Sequence, residues 1–215
     1  MIAFAGKLPR EVGGTEEPLL AQFTRIEEAA HADGSAGWNL AFTASSAGIA
    51  AARLPDETIA ELLDAHGEWP AFCGTFPMTG VASPVTGGFR LRGRWGFGSG
   101  IHEAAWVACG ARRDDTGAPI WFAVPVGDVV VHDTWDAPGL HATGSSDYSI
   151  DDVVVAERYS FDTGAPARRG GAPFRVPIQA YLTPDHTGVT LGCARRTLEE
   201  CAAQAVGKQR LGSAH

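Results

Sequence analysis

Four stretches of this chain space their apolar side chains as a helix does, and a block between the third and fourth alternates them instead. Leu19, Leu20, Phe23, Ile26 and Ala30 recur at three- and four-residue steps. That spacing predicts an amphipathic helix reaching about His31, with Thr15, Glu16, Glu17 and Pro18 at its start. Residues 36–52 are small and apolar nearly all round, so a second helix should be buried on several sides, with Asp33 or Ser35 capping it. Asp56 is expected to cap a third helix over 57–66, whose inner face carries Ile59, Leu62 and Leu63. After Pro184, the apolar positions Val189, Leu191 or Cys193, Leu198 and Ala202 predict a long helix of good helix formers.

Trp69 and Pro70 close the helical region, and strands follow. Phe89 and Leu91 alternate with Arg90 and Arg92, and Trp95 and Phe97 continue the period of two. Further strands are expected at 106–111, 121–126 and 129–133. The polar run 112–118 makes a hairpin tip. Gly, Pro, Ala and Arg dominate 160–177 without an apolar period, which reads as a linker or crossover. The layout is therefore α+β: a helical segment over 1–68, a β-domain over 69–160, a linker over 161–184 and a helix within 185–215.

Composition narrows the function classes. With 215 residues and 45% hydrophobic residues the chain can bury a sizeable core. A net charge of -8 and only paired arginines (Arg168 with Arg169, Arg195 with Arg196) argue against a nucleic-acid or anionic-membrane surface. No apolar run is long enough to span a bilayer and the first residues lack a signal-peptide pattern, which points to the cytoplasm. Cys73, Cys109, Cys193 and Cys201 show no metal-ligand spacing and are expected as buried free thiols, so no metal is expected. There is no P-loop, GxSxG elbow or HExxH, and no βαβ unit follows the alternating glycines.

The chemistry-bearing stretch is Gly87–Gly110. Gly96, Gly98 and Gly100 alternate around Ser99, so one edge of the strand is bare and a flat ligand could approach the backbone. A β-bulge and turn would use the same residues. His102 is either a proton-transfer group or simply an imidazole at a strand end. Ser35 and Trp38 could line a substrate entrance.

GGFRLRGRWGFGSGIHEAAW, with FCGTFPMTG upstream and WDAPGLHATGSSDYSIDDVVV downstream, resembles the central β-domain of the acyl-CoA dehydrogenase superfamily, in particular its two-component, reduced-flavin-dependent monooxygenases. The likeness covers most of residues 8–208. It implies an N-terminal helical segment, an antiparallel β-barrel or sandwich with a strand and turn over 72–77 and a last strand over 151–155, and the start of a C-terminal helical bundle. It also implies reduced FMN delivered by a diffusing reductase product, with FAD as the alternative, and hydroxylation of a small aromatic or heteroaromatic substrate by O2.

On that resemblance Ser99 lies near the flavin N5 and C4a, and His102 polarises oxygen or ionises a phenol. Phe72 and the Thr75 hydroxyl meet the pyrimidine edge of the flavin, and Trp95, Phe97 and Trp135 lie beside the ring. Thr143 and Ser145 hold the ribityl chain or phosphate, unless they only cap turns. Two departures stand out: no histidine occurs between Phe42 and Gly48, and Phe76 replaces the glutamate found in the dehydrogenases. The other readings are an FAD-dependent acyl thioester dehydrogenase and a non-catalytic remnant. The resembled proteins are longer at both ends and form dimers or tetramers, so the chain is expected to be a truncated relative that seeks partners.

Overall fold

The computed structural model describes residues 5–206; the stretch 207–215, GKQRLGSAH, which is polar and unpatterned in sequence and reads there as a frayed end, lies outside them. Helix α1 is Leu19–Ala32 and α2 is Gly34–Arg53. They meet at Asp33, which is extended (φ -153°) and accepts the Ala36 N–H at 2.8 Å, the cap expected there. Helix α3 is Asp56–His66 and starts after Pro55. Asp56 is thus the first helical residue rather than the cap, and its charge favours the positive helix end.

Seven strands form one sheet: β1 Phe72–Val85, β2 Gly88–Gly98, β3 Trp106–Arg113, β4 Pro119–Pro125, β5 Val130–His132, β6 Ser146–Ala156 and β7 Ser160–Phe161. Their order is β5-β6-β2-β1-β3-β4-β7. One pairing departs from the antiparallel expectation: β1 and β3 run parallel. The chain leaves β2 at Gly98 and crosses to the far side of β1 before re-entering the sheet. A turn was expected after Pro77, but β1 continues through it, absorbing the disruption as a register shift against β3 between Thr75 and Gly80.

Strand alternation sends side chains into two cores. Trp106 and Ala108 of β3 pack with Ala47, Ala50 and Ala51 of α2. Val107 and Cys109, one residue out of phase, join Leu91, Trp95, Phe122 and Tyr148 on the other face. The small residues of α2 bring its backbone close to the sheet, and this fixes the helix that later supplies Trp38 and Asn39.

Helix α4 is Ile178–Ala205. It starts before Pro184, inside the stretch expected as linker, because Tyr181, Leu182 and Val189 bury a continuous face and packing outweighs the hydrogen bond that Pro184 cannot donate. Gly192 makes the α1–α4 contact possible: a Cβ there would meet Glu27 O at 2.4 Å and Ala30 Cβ at 2.8 Å. A fully buried ion pair, Lys7 Nζ to Asp185 Oδ1 at 2.8 Å, ties the chain start to α4. Ser45 of α2 donates to the other Asp185 oxygen at 2.5 Å.

Candidate active site

Along β2 the alternation holds as far as Trp95. Phe89, Leu91 and Trp95 point inward. Trp95 stacks on Tyr148 with centroids 5.4 Å apart and donates its indole N–H to Gly110 O at 2.8 Å. The register against β6 then shifts between Trp95 and Gly98, and Phe97 takes a left-handed backbone, φ 62°. For a bulky residue that conformation is strained. It turns the ring outward, 73% exposed, edge-on to Trp135 with centroids 6.3 Å apart. Trp135 is held in turn by donating to His141 O at 3.0 Å.

Beyond this twist lies an ordered row of hydroxyls. Trp38 Nε1 of α2 donates to Ser99 Oγ at 2.9 Å, Ser99 Oγ is 2.8 Å from Ser145 Oγ, and Ser145 Oγ is 2.6 Å from Thr143 Oγ1. Thr143 Oγ1 donates to Leu140 O at 2.8 Å, which fixes the direction of the row. Each hydroxyl has one proton, so Ser145 must donate to Thr143 and Ser99 must donate to Ser145. Ser99 is thereby left with an unused acceptor lone pair and no proton to give. Backbone bonds clamp the same two segments, Gly100 N to Thr143 O at 2.9 Å among them.

The nominated residues divide into two groups. Ser99, Thr143 and Ser145 come together in the hydroxyl row, and Phe97 and Trp135 form the exposed aromatic pair. His102 sits one short turn away, its Nε2 3.2 Å from Ser146 Oγ. Trp95, Phe72 and Thr75 belong to the interior instead. Trp95 and Phe72 are fully buried, Phe72 stacked between Trp69 and Trp106. The Thr75 hydroxyl is 2.8 Å from the buried Tyr148 hydroxyl. All three side chains are buried, with Phe72 and Trp95 in the cores on opposite faces of the sheet.

The bare glycine edge is also used internally. A Cβ on Gly98 would meet Ser146 O at 2.9 Å, and Gly100, at φ 74°, would meet Thr43 Cγ2 at 2.7 Å. Trp95 and Thr75 are themselves buried.

Two further groups belong to the site. Asn39, one residue after Trp38, has its buried Oδ1 without a hydrogen-bond partner. It lines a cavity of about 20 Å³ with Thr43, Ala71, Phe72, Gly100, Glu103 and Ala104, room for about one water and no more. His186 of α4 packs edge-on against Phe42 at 4.8 Å, and Phe42 against Trp38 at 4.2 Å, so an imidazole reaches the 42–48 segment that lacks one in sequence. The lone amide of Asn39 in an otherwise small, apolar helix was a legible signal. The approach of His186 from a distant helix was not.

The cysteines take no part. Cys73 and Cys109 are buried free thiols, and burial pushes Cys73 up to about 12. On α4, by contrast, Cys193 is half-buried and Cys201 exposed, against the expectation that all four would be buried. Among the described residues no group of His, Cys, Asp or Glu side chains could hold a metal, and no helix is long and apolar enough to cross a membrane.

A flavin would ask this site for neutral donors and acceptors at a uracil-like edge and apolar faces for its ring. The uncharged hydroxyl row, the orphaned Asn39 carbonyl and the exposed Phe97–Trp135 pair fit that demand. The small cavity does not enclose such a ring.

No family model matches the chain. Indole-3-acetate monooxygenase of Pseudomonas putida is 36% identical over 204 residues, which are 94% of this chain and 52% of that protein. The FADH(2)-dependent resorcinol hydroxylase oxygenase component of a Rhizobium species is 28% identical over 84% of the chain and 45% of its own length. Among solved structures, XiaF from a Streptomyces species in complex with FADH2 and glycerol superposes with a TM-score of 0.84 at 23% identity, covering 99% of this chain and 56% of that one. The chain spans about half the length of the curated relatives it matches. Across that half it is homologous to flavin-dependent monooxygenases built on the acyl-CoA dehydrogenase fold.

Proposed function

We propose that this chain is part of the oxygenase component of a two-component flavin-dependent monooxygenase. It would receive reduced flavin, FMN or FAD, from a separate reductase and hydroxylate a small aromatic or heteroaromatic substrate. The observation that carries this reading is the proton-ordered row Trp38–Ser99–Ser145–Thr143. Reduced flavin carries an N–H at N5 and oxidised flavin does not. Ser99, with an acceptor lone pair free and its own proton committed, therefore suits the reduced form.

When bound, reduced flavin supplies the electrons that let O2 deliver one oxygen atom to the substrate. The chain's own residues prepare for that. Trp38 holds the Ser99 oxygen in place, and Ser145 and Thr143 stop its proton from turning outward. Phe97 and Trp135 offer an apolar surface from which a planar ring can exclude water. Asn39 offers a buried acceptor. His102, its Nε2 3.2 Å from the Ser146 hydroxyl, would take a proton from a phenol or ring N–H. We further propose a cytoplasmic homo-oligomer as the working form.

The test is anaerobic titration of the protein with reduced and oxidised FMN and FAD, wild type against Ser99→Ala. Wild type should prefer the reduced form, and Ser99→Ala should erode that preference roughly three- to tenfold, the worth of one hydrogen bond. An unchanged preference, or no binding of either flavin, would sink the reading.

A further inference from the structure

The far end of α2 carries a different kind of group. Arg53 is 8% exposed, and its Nε is buried without a hydrogen-bond partner. Among the described residues no carboxylate lies within ion-pair distance of its guanidinium. Burial lowers its proton affinity, with Tyr181 and Asp162 opposing only in part. Arg169 shows what the fold does with a structural guanidinium: equally buried at 9%, it donates to Ala51 O, Leu54 O and Asp56. Arg53 receives no such treatment. The buried Nε is left without a partner, a cost that a ligand reaching the guanidinium from the clefts would offset.

Arg53 lies where two surface clefts meet. One, of about 660 Å³, has Pro55, Ile120, Phe161 and Pro166 along its wall and Arg168 at its mouth. The other, of about 540 Å³, continues toward Arg175. Arg168 and Arg175 carry no ion pair in the described structure, whereas Arg113 and Arg158, also on the first cleft, are taken by Asp115 and Glu61. The acids facing the cleft, Glu57, Glu157 and Asp162, are exposed at its rim and screened by solvent. Both clefts have the size of small-molecule sites.

We propose that the Arg53 cleft binds the oxyanion of a small molecule, a carboxylate or phosphate on an apolar body. Arg53 and Arg168 grip the oxyanion, and Ile120, Phe161 and the prolines take the body. Guanidinium forks match both oxyanions in bidentate fashion. The site is separate from the one around Ser99. Trp38 and Arg53 are 15 residues apart on α2, about 22 Å along the axis.

Thermal unfolding and calorimetric titration at constant ionic strength test this with three probes: benzoate, inorganic phosphate and neutral benzyl alcohol. Benzoate should raise Tm by about 3 °C or more at ten times its Kd, and benzyl alcohol should not. A response to phosphate alone would keep the site and assign it to free phosphate. Arg53→Gln should abolish the response. Since that variant replaces a buried group, the exposed Arg168→Gln stands beside it and should weaken Kd roughly three- to tenfold. Arg94→Gln, outside the cleft, should leave Kd unchanged. The proposal falls if neither oxyanion binds, if benzyl alcohol matches benzoate, or if Arg168→Gln binds as wild type does.

Discussion

Removing one half of the Lys7–Asp185 pair should be among the most damaging single changes in this chain, and removing both halves should not. Both side chains are wholly buried, 2.8 Å apart. Burial pulls Lys7 down and Asp185 up from their ordinary values, each opposed by the other's charge. Asp185→Ala would leave an ammonium with no counter-charge beside the Tyr181 ring, 4.4 Å from its centroid. Breaking a buried pair in this way costs about 3–5 kcal/mol. For a chain of this length each kcal/mol moves Tm by about 2–4 °C, so the expected loss is about 6–20 °C. Replacing the pair by Lys7→Met with Asp185→Leu removes both desolvation costs. With Ser45→Ala included, so that the hydroxyl now donated to Asp185 is not stranded, most of that loss should return. Circular dichroism melts and urea titrations of wild type, Lys7→Met, Asp185→Leu and the double variant give the coupling energy of the pair directly. A single-variant loss below about 1 kcal/mol, or a combined variant no better than the single, would refute the reasoning, because the pair would then not be a buried, mutually dependent charge couple.

Other outcomes follow from the geometry. Gly80→Ala should destabilise by about 1–3 kcal/mol through overpacking, since its Cβ would lie 2.4 Å from Trp95 Cζ2 and 3.0 Å from Ala111 Cβ; an unchanged denaturant midpoint would contradict that packing. In thiol titration Cys201, which is exposed, should react first, and Cys73 and Cys109 only on unfolding. The raised Cys73 thiol also sets a direction: the native state holds its proton longer than the unfolded chain, so its contribution is complete below 9.0 and lost as pH rises toward about 12. Melting temperature across that alkaline range, wild type against Cys73→Ser, checks the sign.

Much of this was legible because burial imposes a period. The α1 and α3 faces and the β2 alternation are written in Ile26, Leu62, Phe89 and Leu91, all buried as expected. The errors also have physical causes. Thr75 was nominated on a likeness of sequence, which does not say whether a strand face meets core or ligand, and both it and Trp95 are buried. Pro184 reads as a stop in isolation, yet it is buried within α4, where tertiary contacts repay the lost backbone bond. The Ser99 row joins three segments far apart in sequence, and the decisive donor, Trp38, comes from a helix whose pattern speaks only of burial. The coupling of His186 to that helix is likewise invisible to any local signal.

The left-handed twist at Phe97 sets fold and chemistry against each other. Glycine at that position would relieve a backbone penalty of roughly 1–2 kcal/mol, so a library sorted only for heat resistance should discard the phenyl ring early. A library sorted for retention of reduced flavin should keep it. Divergence of the two populations at this one codon would mark where tolerance of strain has been exchanged for an aromatic surface held out to solvent.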